Sequence, residues 1–341
     1  MQRRGELRSP VPPKRKLKPM IINTLLALFG FIVLIKCADF FVDGAVSFAR
    51  NLKIPSAVIG LTIVSFGTSA PELAIAFRSH LSGNPDMVIG GAVGSNIANI
   101  LLILGTTALF YPFKIDSAII KKELPLLFLI TVAFAVIFFD NIFDVQAVNT
   151  LTRADGVVLL LFFSIFGYYM ARIISNGGDK NSVDKAASDK PRFKVPMSVI
   201  MLVLGLGGVI LGSELVVSNV TALAEKIGIS QKIISVTVIA IGTSLPELVT
   251  TFVAAKKGET GIAVGNIIGS NIFNICIVLG LPVLILGDVA TAAFSYVDVA
   301  FMLFAVLLLW VFSATEKKIR RSEAAVLLAA YCGYGVVMFV T

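Results

Sequence analysis

Residues 67–73 read Gly-Thr-Ser-Ala-Pro-Glu-Leu, and residues 242–248 read Gly-Thr-Ser-Leu-Pro-Glu-Leu. A second pair of stretches matches in the same register: residues 94–100 read Gly-Ser-Asn-Ile-Ala-Asn-Ile, and residues 269–275 read Gly-Ser-Asn-Ile-Phe-Asn-Ile. The offset from Gly67 to Gly242 equals that from Gly94 to Gly269, and we call it the repeat offset. Two matches at one offset do not arise by chance, and they indicate an internal duplication. The chain is therefore predicted to consist of two related halves.

The composition around these motifs is that of a membrane protein. Of the 341 residues, 57% are hydrophobic and 15% are charged, against about 45–50% and about 25% in soluble domains. Apolar runs such as 124–139, 157–170 and 299–312 approach the roughly 20 residues that a helix needs to cross a bilayer. The three cysteines exclude a disulfide scaffold. Most of the net charge of +8 lies in the stretch 1–19, so nucleic-acid binding is not supported.

Ten apolar segments are predicted to form membrane-spanning helices, which makes the fold all-α. The polar stretch 174–194 separates the first five segments, in 20–173, from the last five, in 195–341. Because five is an odd number, the second half enters the membrane from the opposite face, and the two five-helix repeats are inverted. In transporters built this way, the binding site lies where the repeats meet. The ten predicted segments are 20–50, 56–78, 87–111, 122–139, 154–173, 195–225, 232–255, 261–286, 296–314 and 323–340.

The basic residues predict the orientation of these segments. The loops after segments 1, 3, 5, 7 and 9, counted together with the adjoining segment ends, carry 17 Lys and Arg residues, and those on the other side, counted in the same way, carry four. The first side should therefore be cytoplasmic, with 174–194 as a cytoplasmic linker. Residues 1–19 read as a disordered tail with seven basic side chains, and this orientation places them outside, against the charge rule. We therefore expect translation to begin at Met20.

Glu72 and Glu247 are repeat-related acids inside predicted spans. Ser69 and Ser244 precede them by three residues, which fits a capping box at a helix start. Such a cap contributes on the order of 1 kcal/mol, whereas a charge at the bilayer centre costs at least about 2.5–3.5 kcal/mol. Because a cap alone does not account for two charges, we predict that the two acids bind a transported ion.

The sequence around the acids supplies further oxygen donors. Pro71 and Pro246 should break their helices and free backbone carbonyls beside the acids. Oxygen donors suit Ca²⁺, which accepts about six to eight of them. Na⁺ ions can bind at the same site, where they would balance the same two negative charges. Competition between the two cations for one site would produce exchange. The hydroxyl donors are those of Thr68, Ser69, Thr243 and Ser244.

The second motif adds neutral polar groups at helical spacing. Ser95 and Asn99, like Ser270 and Asn274, are four residues apart and share one face of a helix. Helix packing is the alternative role for small and amide-bearing residues in membranes. We predict that these four residues are ligands. Asn96 and Asn271 should point elsewhere and serve as packing groups.

At these residues the chain resembles the cation/calcium exchanger superfamily, in particular its sodium/calcium exchanger branch. The two alpha repeats of that family resemble residues 60–105 and 235–280, and its ten-span inverted architecture would cover nearly the whole chain. The resemblance implies that Glu72 and Glu247 coordinate both calcium and sodium. It also implies ligand roles for the hydroxyl and amide residues named above, and for the backbone oxygens of Ser65 and Ala240.

The resemblance also bears on the coupling ion. Potassium-dependent relatives have aspartate where this chain has Asn274, which argues against a potassium requirement. The GNxxE pattern of the proton-coupled branch does not occur in the sequence. Family precedent implies three sodium ions per calcium and one net charge moved in each cycle. The membrane potential would then contribute about 2.3 kcal/mol per 100 mV.

The sequence thus predicts a sodium/calcium antiporter, spanning the lipid bilayer of a prokaryotic plasma membrane. A proton/calcium antiporter is the alternative among transporters, and a cation channel that uses the same acids is the alternative outside them. We expect a monomer with no cofactor besides the transported ions. Enzyme activity is not expected, because no His/Ser, His/Cys or HExxH set is present to activate a nucleophile or a water. Asp39 and Glu214, another repeat-related acid pair, should lie near the membrane interface or in packing contacts.

Overall fold

The computed structural model describes residues 14–139, 149–175, 190–229, 240–290 and 296–340, and these residues are almost entirely helical. Six of their helices are long and apolar enough to cross a membrane, and a seventh span results if a helix pair bent by 41° is counted as one. The chain is therefore an all-α, multi-pass membrane protein, as predicted. The total of ten spans and the inversion of the repeats stay predictions.

The helices of the first half are α1 (Lys14–Leu52), α2 (Ser56–Thr68, with a π-helical segment at Gly60–Val64), α3 (Ala70–Leu81), α4 (Pro85–Ile97, the π-helical segment Ala98–Leu104 and Gly105–Phe110), α5 (the π-helical segment Ile119–Glu123 and Leu124–Phe138) and α6 (Arg153–Ser175). Those of the second half are α7 (Val195–Lys226), α8 (Ala240–Thr243), α9 (Leu245–Lys256), α10 (Thr260–Phe273, the π-helical segment Asn274–Leu279 and Gly280–Leu286), α11 (Tyr296–Glu316) and α12 (Arg321–Val340). The connecting loops contain the two-residue strands β1 (Phe113–Lys114), β2 (Thr150–Leu151), β3 (Val289–Ala290) and β4 (Lys318–Ile319).

The structure corrects two of the predicted helix assignments. α1 begins at Lys14, so residues 14–19 of the predicted disordered tail belong to a helix. The predicted span 56–78 consists of two helices, α2 and α3, separated by Ser69. Its repeat mate, 232–255, lies partly outside the described residues, which resume at Ala240. Residues 1–13 and most of the predicted linker also lie outside them.

The helix breaks at Ser69 and Ser244 have the same backbone geometry. Ser69 has φ −90° and ψ 5°, and Ser244 has φ −91° and ψ 7°. In both cases a proline lies in the first turn of the next helix. Proline has no amide hydrogen, and its ring clashes with the carbonyl four residues earlier, so the preceding helix stops. The duplicated sequence therefore produces a duplicated break.

α4 and α10 form the centre of the molecule. In their most apolar stretches, 72% and 83% of the residues are buried inside the protein, compared with 33% in α1 and in α7. α1 and α7 leave much apolar surface for lipid and pack closely against each other. A Cβ atom on Gly205 would lie 2.8 Å from Phe41 Cα, and one on Gly212 would lie 2.7 Å from the Leu34 amide nitrogen. Glycine thus brings the two backbones nearly into contact, as small residues do between membrane helices.

α2 packs against α10 in the same way. A Cβ atom on Gly60 would lie 2.8 Å from the Ile262 carbonyl oxygen, and one on Gly265 would lie 2.7 Å from the Ala57 carbonyl oxygen. Further along, a Cβ atom on Gly269 would lie 2.4 Å from Ser65 Oγ. This close approach places the first motif of one half beside the second motif of the other half.

Two short antiparallel ladders, which were not predicted, also join the halves. β1 pairs with β4, and β2 pairs with β3. The loops of β1 and β4 follow predicted spans 3 and 9, and those of β2 and β3 follow predicted spans 4 and 8. Each ladder therefore connects loops that the distribution of basic residues places on the same side of the membrane.

Two buried acids away from the predicted site, Glu123 and Asp298, are also separated by the repeat offset. The Tyr169 hydroxyl donates to Glu123 Oε1 at 2.7 Å, and the Tyr334 hydroxyl donates to Asp298 Oδ1 at 2.9 Å. The first bond links α5 to α6, and the second links α11 to α12. The repeat offset relates the two acids but not the two tyrosines, so the two hydrogen bonds are alike in kind without being a duplicated pair.

A cluster of ion pairs joins α1 to the connection between α9 and α10. Lys257 Nζ lies 2.8 Å from Asp39 Oδ1 and 2.6 Å from Asp43 Oδ1, and Arg50 Nη2 lies 3.1 Å from Glu259 Oε1. Asp39 is therefore part of a charged contact that is open to solvent. Glu214, its repeat mate, is exposed on α7.

Replacing Lys257 by Gln is expected to reduce the free energy of unfolding by no more than about 1 kcal/mol, because exposed ion pairs contribute roughly 0–1 kcal/mol. The side chains of Lys257, Asp39 and Asp43 are 24%, 53% and 23% exposed. Thermal unfolding in detergent at low and high salt measures this effect, with Lys256→Gln as the control for loss of one positive charge. A loss well above the range for exposed ion pairs, about 3 kcal/mol or more, would show that the cluster is a major stabilising contact.

Candidate functional site

The two predicted site acids lie just after the helix breaks. Glu72 is in the first turn of α3, and Glu247 is in the first turn of α9. Only 6% of the Glu72 surface and 1% of the Glu247 surface are exposed. A first-turn carboxylate lies at the positive end of the helix dipole and near free backbone amides. The breaks therefore create the two positions in the protein interior that can hold these charges.

The two halves of the chain meet at these acids. Ser69 Oγ, from the first break, donates to Glu247 Oε1 at 3.0 Å. Neither Ser69 nor Ser244 makes a side-chain hydrogen bond to the start of its own helix. The serine part of the predicted capping box is therefore not formed, and Ser69 bonds to the acid of the other half instead.

Ser65, Thr68 and Ser270 are held together by the close packing of α2 on α10. Thr68 Oγ1 lies 3.3 Å from the Ser65 carbonyl oxygen, and Ser270 Oγ lies 3.5 Å from the same oxygen. All three residues are buried. The structure thus brings together the hydroxyls predicted from the first motif of one half and the second motif of the other.

The sequence did not single out Asn266 and Thr251, two polar neighbours of this group. Thr68 Oγ1 lies 3.1 Å from Asn266 Oδ1, and Asn266 Nδ2 donates to Thr251 Oγ1 at 2.9 Å. Both side chains are fully buried. At the equivalent positions of the repeat, the first half has Gly91 and Ala76 instead. These two residues differ from their repeat mates. The matching positions that indicated the other site residues therefore could not indicate them.

Gly91 and Ala76 line a cleft of about 40 Å³. Glu72, Ser95 and Thr243 also line it. A space of this size has room for a water molecule or a small ion, because one water needs about 10–15 Å³ on this scale. The two halves therefore differ beside their acids: the first half has a cleft where the second half has an amide and a hydroxyl.

The remaining predicted donors come from the second break. Ser244 is buried. Thr243 lines the cleft beside Glu72 and Ser95. Ala240 is the first described residue of α8, and the ligand role of its carbonyl oxygen stays a prediction.

The four asparagines of the second motif form one hydrogen-bonded cluster across the interface of the halves. Asn99 Nδ2 donates to Asn271 Oδ1 at 2.9 Å, and Asn274 Nδ2 donates to Asn96 Oδ1 at 3.1 Å. Asn96 Nδ2 donates to the Asn271 carbonyl at 3.2 Å, and Asn271 Nδ2 donates to the Asn96 carbonyl at 3.3 Å. Exchanging every residue with its repeat mate reproduces the same bonds. This is the pattern expected around a local two-fold axis.

Five buried oxygens of the predicted ligands have no hydrogen-bond partner among the described residues. Leaving a buried polar atom unsatisfied costs about 1–3 kcal/mol, and more for a charged group. All five can accept, so a cation bound between them would satisfy several at once. They are Glu72 Oε2, Glu247 Oε2, Asn99 Oδ1, Asn274 Oδ1 and Ser244 Oγ.

Known proteins show the same sequence pattern and fold. The family described as sodium/calcium exchanger protein matches residues 22–172 and 197–340. The putative antiporter CaxA of Alkalimonas amylolytica is 40% identical over 325 residues, which cover 94% of this chain and 99% of that protein. The inner membrane protein YrbG of Escherichia coli is 40% identical over 282 residues, or 81% of this chain and 84% of that one. A structure of the sodium-calcium exchanger NCX_Mj, soaked with zero Na⁺ and Ca²⁺, has a TM-score of 0.78 and 33% identity, and the match covers 94% of this chain and 99% of that one. The chain therefore belongs to the sodium/calcium exchanger protein family.

Proposed function

We propose that the protein is a secondary antiporter that exchanges sodium for calcium, with Glu72 and Glu247 holding either ion in turn. The observation that carries this proposal is the set of buried, unpartnered oxygens that both halves contribute. Family membership and the name of the NCX_Mj structure support the choice of ions. We expect the protein to act as a transporter and not as an enzyme.

The chemistry of the donors agrees with calcium. Two carboxylates carry a charge of −2, which one divalent cation neutralises, and the amide and hydroxyl oxygens complete a coordination shell of hard donors. The described residues contain no group of three or more His, Cys, Asp or Glu that could hold a metal. The proposed site therefore relies on neutral oxygens for most of its ligands. Sodium ions, which also prefer oxygen, can occupy the same donors.

Exchange requires that the site be open to one side of the membrane at a time. We propose that α1 and α7 slide past the core formed by the other helices, because they are mostly exposed to lipid and pack tightly on each other. The two-fold pattern of the asparagine cluster supports an arrangement of inverted repeats, in which two equivalent half-structures exchange roles. The ten-span topology is part of this proposal.

The proposed location is the plasma membrane of a prokaryote, consistent with the inner membrane protein named among the relatives. We propose a monomer as the working unit, because each chain already contains both acids. We further propose that three sodium ions are exchanged for each calcium ion, which makes transport sensitive to the membrane potential.

The test is calcium uptake into liposomes that contain the purified protein. With sodium inside and radioactive calcium outside, uptake is expected to be fast, and it should disappear when the sodium gradient is dissipated. Potassium is expected to have no effect beyond its effect on the membrane potential. Uptake driven by a pH gradient without sodium would instead identify a proton/calcium antiporter. Calcium flux without any counter-ion would identify a channel. Either result would overturn the proposal.

A further inference from the structure

We propose that Asn96 and Asn271 are positioning residues that turn the amide oxygens of Asn99 and Asn274 toward the transported cation. The inference rests on the proposed function, because it assumes that Asn99 and Asn274 bind the ion. It gives the Asn96 and Asn271 side chains, which the sequence suggested were packing groups, a defined role in ion binding.

The first step is the orientation of Asn96 and Asn271. The Nδ2 atom of each lies within 3.3 Å of the backbone carbonyl oxygen of the other. A carbonyl oxygen only accepts hydrogen bonds, so the NH₂ end of each amide has to face it. Asn96 Nδ2 also lies 3.7 Å from Met302 Sδ, which is a weak acceptor. The backbone thus selects one of the two possible orientations for both amides.

The second step is the orientation of the two ligand amides, Asn99 and Asn274. Because their NH₂ ends face the backbone, Asn96 and Asn271 present their Oδ1 atoms to the neighbouring residues. Asn274 Nδ2 donates to Asn96 Oδ1 at 3.1 Å, and Asn99 Nδ2 donates to Asn271 Oδ1 at 2.9 Å. An amide oxygen carries no hydrogen and cannot donate to another amide oxygen, so this contact requires the NH₂ ends of Asn99 and Asn274.

The third step is the direction of the remaining oxygens. With their nitrogen atoms bound to the cluster, Asn99 and Asn274 direct their Oδ1 atoms away from it. Both Oδ1 atoms are buried, and the described residues offer them no partner. An amide in the opposite orientation, with its oxygen and nitrogen exchanged, would point its NH₂ group at the cation and repel it. Mutating a group that orients a metal ligand in this way typically lowers the metal affinity by roughly 10–100-fold.

The test is a double-mutant cycle on calcium binding, measured by titration calorimetry on the full chain in detergent. Asn96→Ala is expected to weaken binding about tenfold, because Asn274 can then rotate. In an Asn274→Asp background the same change is expected to alter affinity less than about twofold. A carboxylate has two equivalent oxygens and presents one to the ion in either orientation. Asn219→Ala, which removes an amide bonded to the Leu215 carbonyl on α7, is the control for general loss of an asparagine.

Equal tenfold losses in both backgrounds would overturn the proposal, because a packing role predicts the same cost whichever residue is at 274. A loss below about twofold in the Asn274 background would also overturn it. If Asn96→Ala does not fold, the repeat-related cycle of Asn271→Ala with Asn99→Asp carries the test. Absence of calcium binding by the unmodified protein would be a different result, since it would refute the proposed function itself.

Discussion

Glu72→Gln and Glu247→Gln are each expected to reduce sodium-driven calcium uptake about 100-fold or more. Glutamine preserves the size of the side chain but removes one of the two negative charges. Because both acids are buried, water cannot replace the lost charge opposite the transported cation, and breaking a buried pair of opposite charges, here a carboxylate and the cation, costs roughly 3–5 kcal/mol. Uptake by reconstituted protein, at matched amounts of protein in the liposomes, measures the effect.

Glu123→Gln is the matched control for this pair. Glu123 is also buried, but its carboxylate bonds to Tyr169 and contributes no atom to the proposed site. Glutamine can still accept the bond from the tyrosine hydroxyl, so uptake should stay within about threefold of the unmodified protein. Uptake that persists in either site variant would show that the acid at that position does not bind the transported ion.

Gly269→Ala is expected to reduce transport more than tenfold and to destabilise the protein by about 1–3 kcal/mol, the usual cost of overpacking. The added Cβ atom would lie 2.4 Å from Ser65 Oγ and 2.5 Å from the Leu61 carbonyl oxygen. The backbone oxygen cannot turn aside as a flexible side chain can. α10 would have to move away from α2, and Ser270 would move with it.

Gly167→Ala provides the comparison for the glycine variant. Gly167 lies on an exposed face of α6, and none of the described residues has an atom within 4 Å of an added Cβ there. Alanine favours a helix over glycine by about 1 kcal/mol, so this variant should be as stable as the original or slightly more stable. Thermal unfolding and uptake, measured on both variants, separate the effect of helix packing from that of helix propensity. Similar behaviour of the two would contradict the close packing of α2 on α10.

The duplicated sequence predicted the local structure of the site well. The matching motifs around Pro71 and Pro246 indicated two helix breaks, and the observed breaks have nearly identical φ and ψ angles. Burial of both acids also follows from the apolar sequence on either side of them. These features depend on residues close together in the chain, which is why the sequence suffices to predict them.

Contacts between the halves were harder to predict. The bond from Ser69 to Glu247, the orientation of the four asparagines and the pairing of β1 with β4 all depend on how two distant segments pack. Asn266 shows a second reason why part of the site could not be predicted from the sequence. It lies beside Thr68, but its repeat mate is Gly91, so the internal symmetry that identified the other site residues does not extend to it.

A crystal soaked with calcium tests the central claim most directly, because the anomalous scattering of calcium locates the ion itself. We predict a peak between the Glu72 and Glu247 carboxylates, with the Asn99 and Asn274 Oδ1 atoms facing it. Soaking with sodium in excess should remove that peak. A peak bound to only one half of the chain, or two carboxylates too far apart to share one ion, would contradict the account.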